Sequence, residues 1–134
     1  MAYATNLEKN YGAVEVSRII SVYDGDTFTC DIDNYPEIIG KKIPVRIFGI
    51  DTPEMKDKNI KVKVLAEKAK AFTKNKLITA KKVELRNMRR DKYFRILADV
   101  FVDDENIGDL LIKEELARPY FGKIKIQWRD IKDK

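Results

Sequence analysis

Five ionisable residues of this chain stand where neither a helix nor a strand asks for them. Asp26 follows an Asp24-Gly25 turn. Asp51 and Glu54 bracket Pro53. Arg46 lies inside the apolar run 43–50, unusual for a side chain that is seldom buried unpaired. Arg95 follows Lys92-Tyr93-Phe94. Two carboxylates, with a main-chain carbonyl freed where Pro53 breaks the strand, suit a hard cation, and Ca²⁺ accepts irregular cages of six to eight oxygens. Glu54 could contact a metal-bound water. Two arginines can clamp the non-bridging oxygens of a phosphate. Together these groups would support metal-assisted attack of water on a phosphodiester. Each also has a plain structural reading: Asp24 and Asp26 shaping the turn, Arg46 paired with Asp51, Asp51-Thr52-Pro53 ending a strand, and Arg95 on a strand surface.

The rest of the composition narrows the chemistry further. The 134 residues contain no histidine and one cysteine, Cys30. That excludes Ser-His-Asp and Cys-His sites, His-ligated metals, thiolate clusters and an internal disulfide. No phosphate-binding glycine loop of the GxxxxGK[ST] or GxGxxG kind occurs. Charge is unevenly spread. Residues 1–54 carry 5 basic and 9 acidic side chains, residues 55–90 carry 13 and 3, and residues 91–134 carry 9 and 10. The basic block is either a solvated face or a surface for a polyanion.

The elements that must position these groups are mostly strands. The length suits one domain, 1–134, with 1–13 and 123–134 expected to fray. Residues 14–23 and 26–33 read as a hairpin around Asp24-Gly25, a turn in which glycine allows positive φ. Residues 34–40 read as a loop and 43–50 as a third strand. Residues 55–63 read as a mobile basic loop. Residues 64–77 read as a helix, with Leu65, Ala69, Phe72 and Lys76 along one stripe and Lys68, Lys70 and Lys74 outward. Residues 81–86 and 94–102 are two further strands, 103–106 a turn, and 108–117 a short helix with Leu110, Leu111 and Leu116 towards the core. Nothing regular is expected beyond Arg118-Pro119. The fold class is therefore mainly β with added α: an OB-fold five-stranded barrel with two to three helices, in the order β-β-β-α-β-β-α. No apolar run is long enough for a membrane helix, and no leader peptide is evident. The expectation is a cytoplasmic protein as the sequence stands, or an exported one if a leader is removed.

Four blocks, Tyr23-Asp-Gly-Asp-Thr27, Pro44-Val-Arg46, Gly49-Ile-Asp-Thr-Pro-Glu54 and Asp91-Lys-Tyr-Phe-Arg95, resemble the staphylococcal nuclease (thermonuclease) family in order and spacing. The likeness spans about residues 14–122. It implies a Ca²⁺-dependent nuclease that cuts DNA and RNA at the 5′ P–O bond and leaves 3′-phosphates, acting as a monomer on single-stranded or unpaired substrate without a membrane. By motif position, Asp26 and Asp51 would ligate Ca²⁺ by side chain and Thr52 by its carbonyl, with Asp24 supporting them from behind. Glu54 would act as general base or orient the attacking water. Arg46 and Arg95 would bind the phosphate and stabilise the transition state. Lys92 and Tyr93 would contact substrate, and Tyr120 could stack on a base. The chain departs from the family's type member in a longer loop at 34–40, a shorter turn before Lys92, and altered residues at 55–63. Phe94 also stands where a glycine commonly precedes the second arginine, and the final helix is expected to be absent. Two other readings stay open: an inactive nucleic-acid-binding module, and a small protein-interaction barrel with a basic face.

Overall fold

The computed structural model describes residues 9–120 and residue 128. The elements run β1 (Val14–Glu15), β2 (Arg18–Asp24), β3 (Thr27–Asp31), α1 (Glu37–Gly40), β4 (Ile43–Ile47), β5 (Ile50–Asp51), α2 (Ile60–Thr79), β6 (Val83–Arg90), β7 (Ile96–Val102), β8 (Glu105–Asn106), α3 (Ile107–Lys113) and β9 (Arg118–Pro119). One mixed sheet runs β1-β6-β7-β4-β3-β2, with β8 added on β7, and β5 pairs separately with β9. The five long strands and the two longer helices follow the expected order, and the sheet curls into an OB-like half-barrel with three helices. β4 and β7 are parallel, with Val45 opposite Ile96 and Arg46 opposite Leu97. A parallel pair needs a long crossover, and α2 supplies it.

Period-two alternation builds the core. Phe28 and Cys30 of β3, Ile43, Val45 and Ile47 of β4, and Ala98, Val100 and Val102 of β7 all face inward. Leu85 of β6 and Leu111 of α3 complete it. Among the described residues no helix is long and apolar enough to cross a membrane. Residues 1–8, and most of 123–134, lie outside the described residues. At 9–13, the Tyr11 N–H donates to Met88 O and Asn10 bonds Asn87.

Several boundaries differ from expectation, each for a local reason. The first strand is two, because the chain changes partner: Val16 N–H donates to Val83 O and Ser17 N–H to Asp31 O. The 34–40 loop contains the single turn α1, in which the Ile39 and Gly40 N–H groups donate to Pro36 O. The third strand ends at Ile47. Gly49, at φ +82°, turns the chain, and Ile50 enters the core. The basic loop is shorter than 55–63, since α2 starts at Ile60 behind an N-cap at Asn59, whose side chain accepts from Lys61 and Val62 N–H. The buried stripe of α2 is Val62, Ala66, Ala69, Thr73 and Leu77, so only Ala69 of the expected stripe is on it. β6 runs on to Arg90 through an irregularity at Asn87, φ +54°, and α3 is shorter than 108–117, Glu115 at φ +62° lying just beyond it. Arg118-Pro119 is itself the short strand β9, paired with β5, and Trp128 is buried beside the Arg118 guanidinium.

The hairpin forms as expected, with Asp24 opposite Thr27, but Gly25 is not at positive φ. Its reason is space. A Cβ there would lie 2.8 Å from Ala69 Cβ and 2.9 Å from Thr52 Cγ2. The hairpin turn, α2 and the 51–54 segment meet at one point, and Thr73 Oγ1 ties the first two by donating to Gly25 O at 2.7 Å.

Candidate active site

A single row of paired residues crosses the sheet. Asp24 opposes Thr27, Thr27 opposes Arg46 and Arg46 opposes Leu97. Above this row lies a pocket of about 280 Å³. Seven of the sequence-derived site residues line it: Asp24, Asp26, Arg46, Asp51, Thr52, Glu54 and Arg95. Lys92, Tyr93 and Tyr120 are not among its lining residues. Tyr93 remains close, its ring centre 5.3 Å from the Arg95 guanidinium, and Lys92 Nζ lies 5.2 Å from the same ring. Tyr120 donates its N–H to Gly49 O, at the bend that leads into Asp51.

The carboxylates are held firmly. Asp26 is 6% exposed and Asp51 8%. Asp26 Oδ2 accepts from Thr52 N–H at 3.1 Å, and Oδ1 from the Thr27 hydroxyl at 3.1 Å. The Asp26 N–H donates to Asp24 Oδ1. Arg46, half-buried, donates Nη1 to Ile47 O and Nη2 to Ile50 O, both at 2.9 Å. Its nitrogens lie 3.3 Å from Asp26 Oδ2 and 3.7 Å from Asp51 Oδ1. The ion pair with Asp51 is therefore present, and Arg46 bridges both carboxylates. These contacts explain why an arginine is stable within an apolar strand: it is paired and its donors are used.

Electrostatics divides the two hairpin carboxyls. Burial pushes Asp24 up to about 7, helped by its hydrogen bond to Asp26. Burial also raises Asp26, but the Arg46 charge, the Asp24 hydrogen bond, the Thr52 N–H and the Thr27 hydroxyl together outweigh it and hold Asp26 below the ordinary range.

The donor set fits a hard cation. Asp26 and Asp51 offer carboxylate oxygens, Thr52 is buried beside them, and its Oγ1 has no hydrogen-bond partner. Among the described residues no group of three or more carboxylates, histidines or cysteines forms a metal cluster. Glu54 lies on the exposed side of the pocket.

Arg95 is positioned by a residue that the motif contained but that was given no role. Asp91 Oδ1 accepts from the N–H groups of Tyr93 and Arg95, and Oδ2 accepts from Arg95 Nε at 2.7 Å. The signal was the four-residue interval from Asp91 to Arg95. This turn also corrects the expected strand at 94–102, which starts at Ile96. Phe94 is not in a strand; it sits at φ +63°. A glycine would adopt that conformation without strain. Tyr23, Thr27, Met55 and Lys56 also line the pocket and were not singled out from the sequence.

The family described as staphylococcal nuclease homologues matches residues 44–133. The thermonuclease of Staphylococcus hyicus is 34% identical over 114 residues, covering 84% of this chain and 64% of that protein. The thermonuclease of Staphylococcus intermedius is 41% identical over 102 residues, covering 75% and 56%. Endonuclease YncB of Bacillus subtilis is 40% identical over 98 residues, covering 71% and 43%. The chain thus spans roughly half the length of these relatives.

Proposed function

Because the chain belongs to the staphylococcal nuclease family, we propose that it is a Ca²⁺-dependent nuclease that hydrolyses DNA, RNA or both at the 5′ P–O bond and leaves 3′-phosphates. The observation that carries this reading is one pocket holding two buried carboxylates, an exposed Glu54 and two guanidiniums. Asp26 and Asp51 would hold the cation by side chain and Thr52 by its carbonyl. Bound there, Ca²⁺ supplies charge to neutralise the phosphate and its transition state. Asp24 supports Asp26 through the hairpin turn. Glu54 takes the proton of the attacking water or orients it. The water oxygen bonds to phosphorus and the P–O5′ bond breaks; the 5′-oxygen departs with its strand and takes a proton to become a 5′-hydroxyl, while the phosphate stays on the 3′-oxygen of the other strand. Arg46 and Arg95 bind the non-bridging oxygens and stabilise the added negative charge. Lys92, Tyr93 and Tyr120 contact the chain on either side. The protein acts as a monomer, without a membrane, on single-stranded or unpaired nucleic acid. Lys61, Lys63, Lys68 and Lys74, exposed on α2, attract its phosphates.

Digestion of single-stranded DNA with Ca²⁺ and with EDTA, using wild type and Glu54→Gln, tests this. Cleavage to 3′-phosphate ends that needs Ca²⁺ and falls by several powers of ten in the variant is expected. Salt-sensitive binding without cleavage would overturn the enzymatic reading and leave a binding module.

A further inference from the structure

The hydrolytic reading uses carboxylates and guanidiniums and leaves two exposed rings beside them without a task. Tyr23, the penultimate residue of β2, lines the pocket and is 61% exposed. Phe94 precedes Arg95 and is 78% exposed. Its backbone is strained as well: at φ +63° it holds a left-handed conformation that is costly for a residue with a Cβ. The turn imposes it. Phe94 N–H donates to Asp91 O, and the Asp91 carboxylate fixes the amides on either side of Phe94. Backbone strain and an apolar ring in water are two costs at one residue, and no burial offsets them. Strain of this kind persists at sites that bind.

The register places the two rings relative to the chemistry. The row Asp24, Thr27, Arg46, Leu97 crosses β2, β3, β4 and β7. Tyr23 adjoins its β2 end, and Phe94 stands three residues before Leu97, in the turn that leads into β7. Three strand spacings, roughly 14 Å in all, separate β2 from β7, and Arg95, next to Phe94 in the chain, lines the pocket with Tyr23. The Arg90 guanidinium, 5.9 Å from the Phe94 ring centre, adds a cation for a neighbouring phosphate. A phosphodiester gripped in the pocket carries one base on each side, and each margin offers that base an aromatic face.

We propose that Tyr23 and Phe94 are base-stacking residues, one on each margin of the pocket, and that they select unpaired polynucleotide. This rests on the nuclease reading for the place of the phosphate. A duplex keeps its base faces in its own stack, whereas a single strand can turn them onto the rings.

The test measures binding by fluorescence anisotropy in EDTA, where no cleavage is expected. The probes are a single-stranded DNA oligonucleotide and the same oligonucleotide with abasic sugars. The proteins are wild type, Tyr23→Ser, Phe94→Gly and the ring-keeping Tyr23→Phe and Phe94→Trp. Loss of either ring is expected to weaken binding of the normal oligonucleotide by roughly five- to hundredfold. The ring-keeping variants should bind like wild type, and all five proteins should bind the abasic strand equally. Phe94→Gly should also raise the thermal unfolding midpoint while weakening binding, a combination that a merely structural Phe94 would not give. Unchanged affinity in Tyr23→Ser and Phe94→Gly overturns the proposal, and so does an equal loss on the abasic strand. Ring-dependent binding by a wild type that never cleaves would sink the nuclease reading and keep this one.

Discussion

Replacing Gly25 by alanine adds one methyl at the point where three segments converge. The new Cβ would lie 2.8 Å from Ala69 Cβ, 2.9 Å from Thr52 Cγ2 and 3.1 Å from Thr52 Cβ. Carbon atoms rest at about 3.5–4.0 Å, so the hairpin and α2 must part by roughly 1 Å. Neither neighbour can swing aside: Ala69 has a single side-chain carbon, and Thr52 is buried. Overpacking of this size costs about 1–3 kcal/mol. The same parting stretches the buried bond from Thr73 Oγ1 to Gly25 O, now 2.7 Å, whose loss costs about 1–3 kcal/mol more. We expect Gly25→Ala to lose about 2–6 kcal/mol in urea unfolding followed by Trp128 fluorescence. On the proposed reading we also expect it to lose nuclease activity in the folded fraction, because Thr52 carries its N–H away from Asp26 Oδ2. Adding Ala69→Gly removes the shortest contact. Although that change alone costs about 1 kcal/mol in a helix, the double variant should be more stable than the two single losses sum to. A Gly25→Ala protein within 0.5 kcal/mol of wild type would refute the reasoning.

Arg46→Met leaves two buried carboxylates facing one another and two carbonyls without their donor, so it should lose about 3–5 kcal/mol in urea unfolding; a smaller loss in Arg46→Met combined with Asp51→Asn would confirm the pairing. In EDTA, the raised Asp24 carboxyl means that the folded state keeps a proton which the unfolded chain, at 3.8, releases. Its contribution is full below about pH 4 and is lost as pH rises towards 7. Asp24→Asn should flatten that decline and gain on the order of 2 kcal/mol at neutral pH relative to wild type, a value halved because part of the group faces water; a denaturation series from pH 4 to 8 reads it. Asp26 acts with the opposite sign, its contribution being lost as pH falls through a value below 3.8. Asp91→Asn should leave the fold within about 1 kcal/mol but lower kcat by roughly a hundredfold, since it loosens Arg95 by an ångström or so; unchanged kcat removes Asp91 from the positioning of Arg95.

Much of the site was legible because its signals are local. Asp-Gly-Asp between two alternating runs marks a hairpin, Thr-Pro after an apolar run marks a strand end, and an arginine among isoleucines and valines demands partners. The pocket gathers all of these. What failed to show depended on contacts across the fold. Phe94 favours a strand by propensity, but Asp91 captures two amides and forces a turn. The stripe of α2 was read from its large residues, while the residues that meet the hairpin are small, Ala69 and Thr73, because the hairpin comes so close. Asn59 was the start signal for α2, hidden by the lysines around it. Lys92, Tyr93 and Tyr120 were placed by motif position alone, which fixes the order of residues along the chain but not which side chains reach one pocket.

The parallel seam between β4 and β7 has a consequence for how such a chain is made. It joins segments separated by the whole of α2, and non-local pairings of that kind form late. Every carboxylate of the pocket precedes α2 in the chain, at Asp24, Asp26, Asp51 and Glu54, whereas Arg95 follows it. A ribosome that has translated as far as residue 90 has made all the acidic groups but not the second guanidinium. On the proposed reading, the nascent protein would therefore be harmless to the message that encodes it until that message has been read past the arginine.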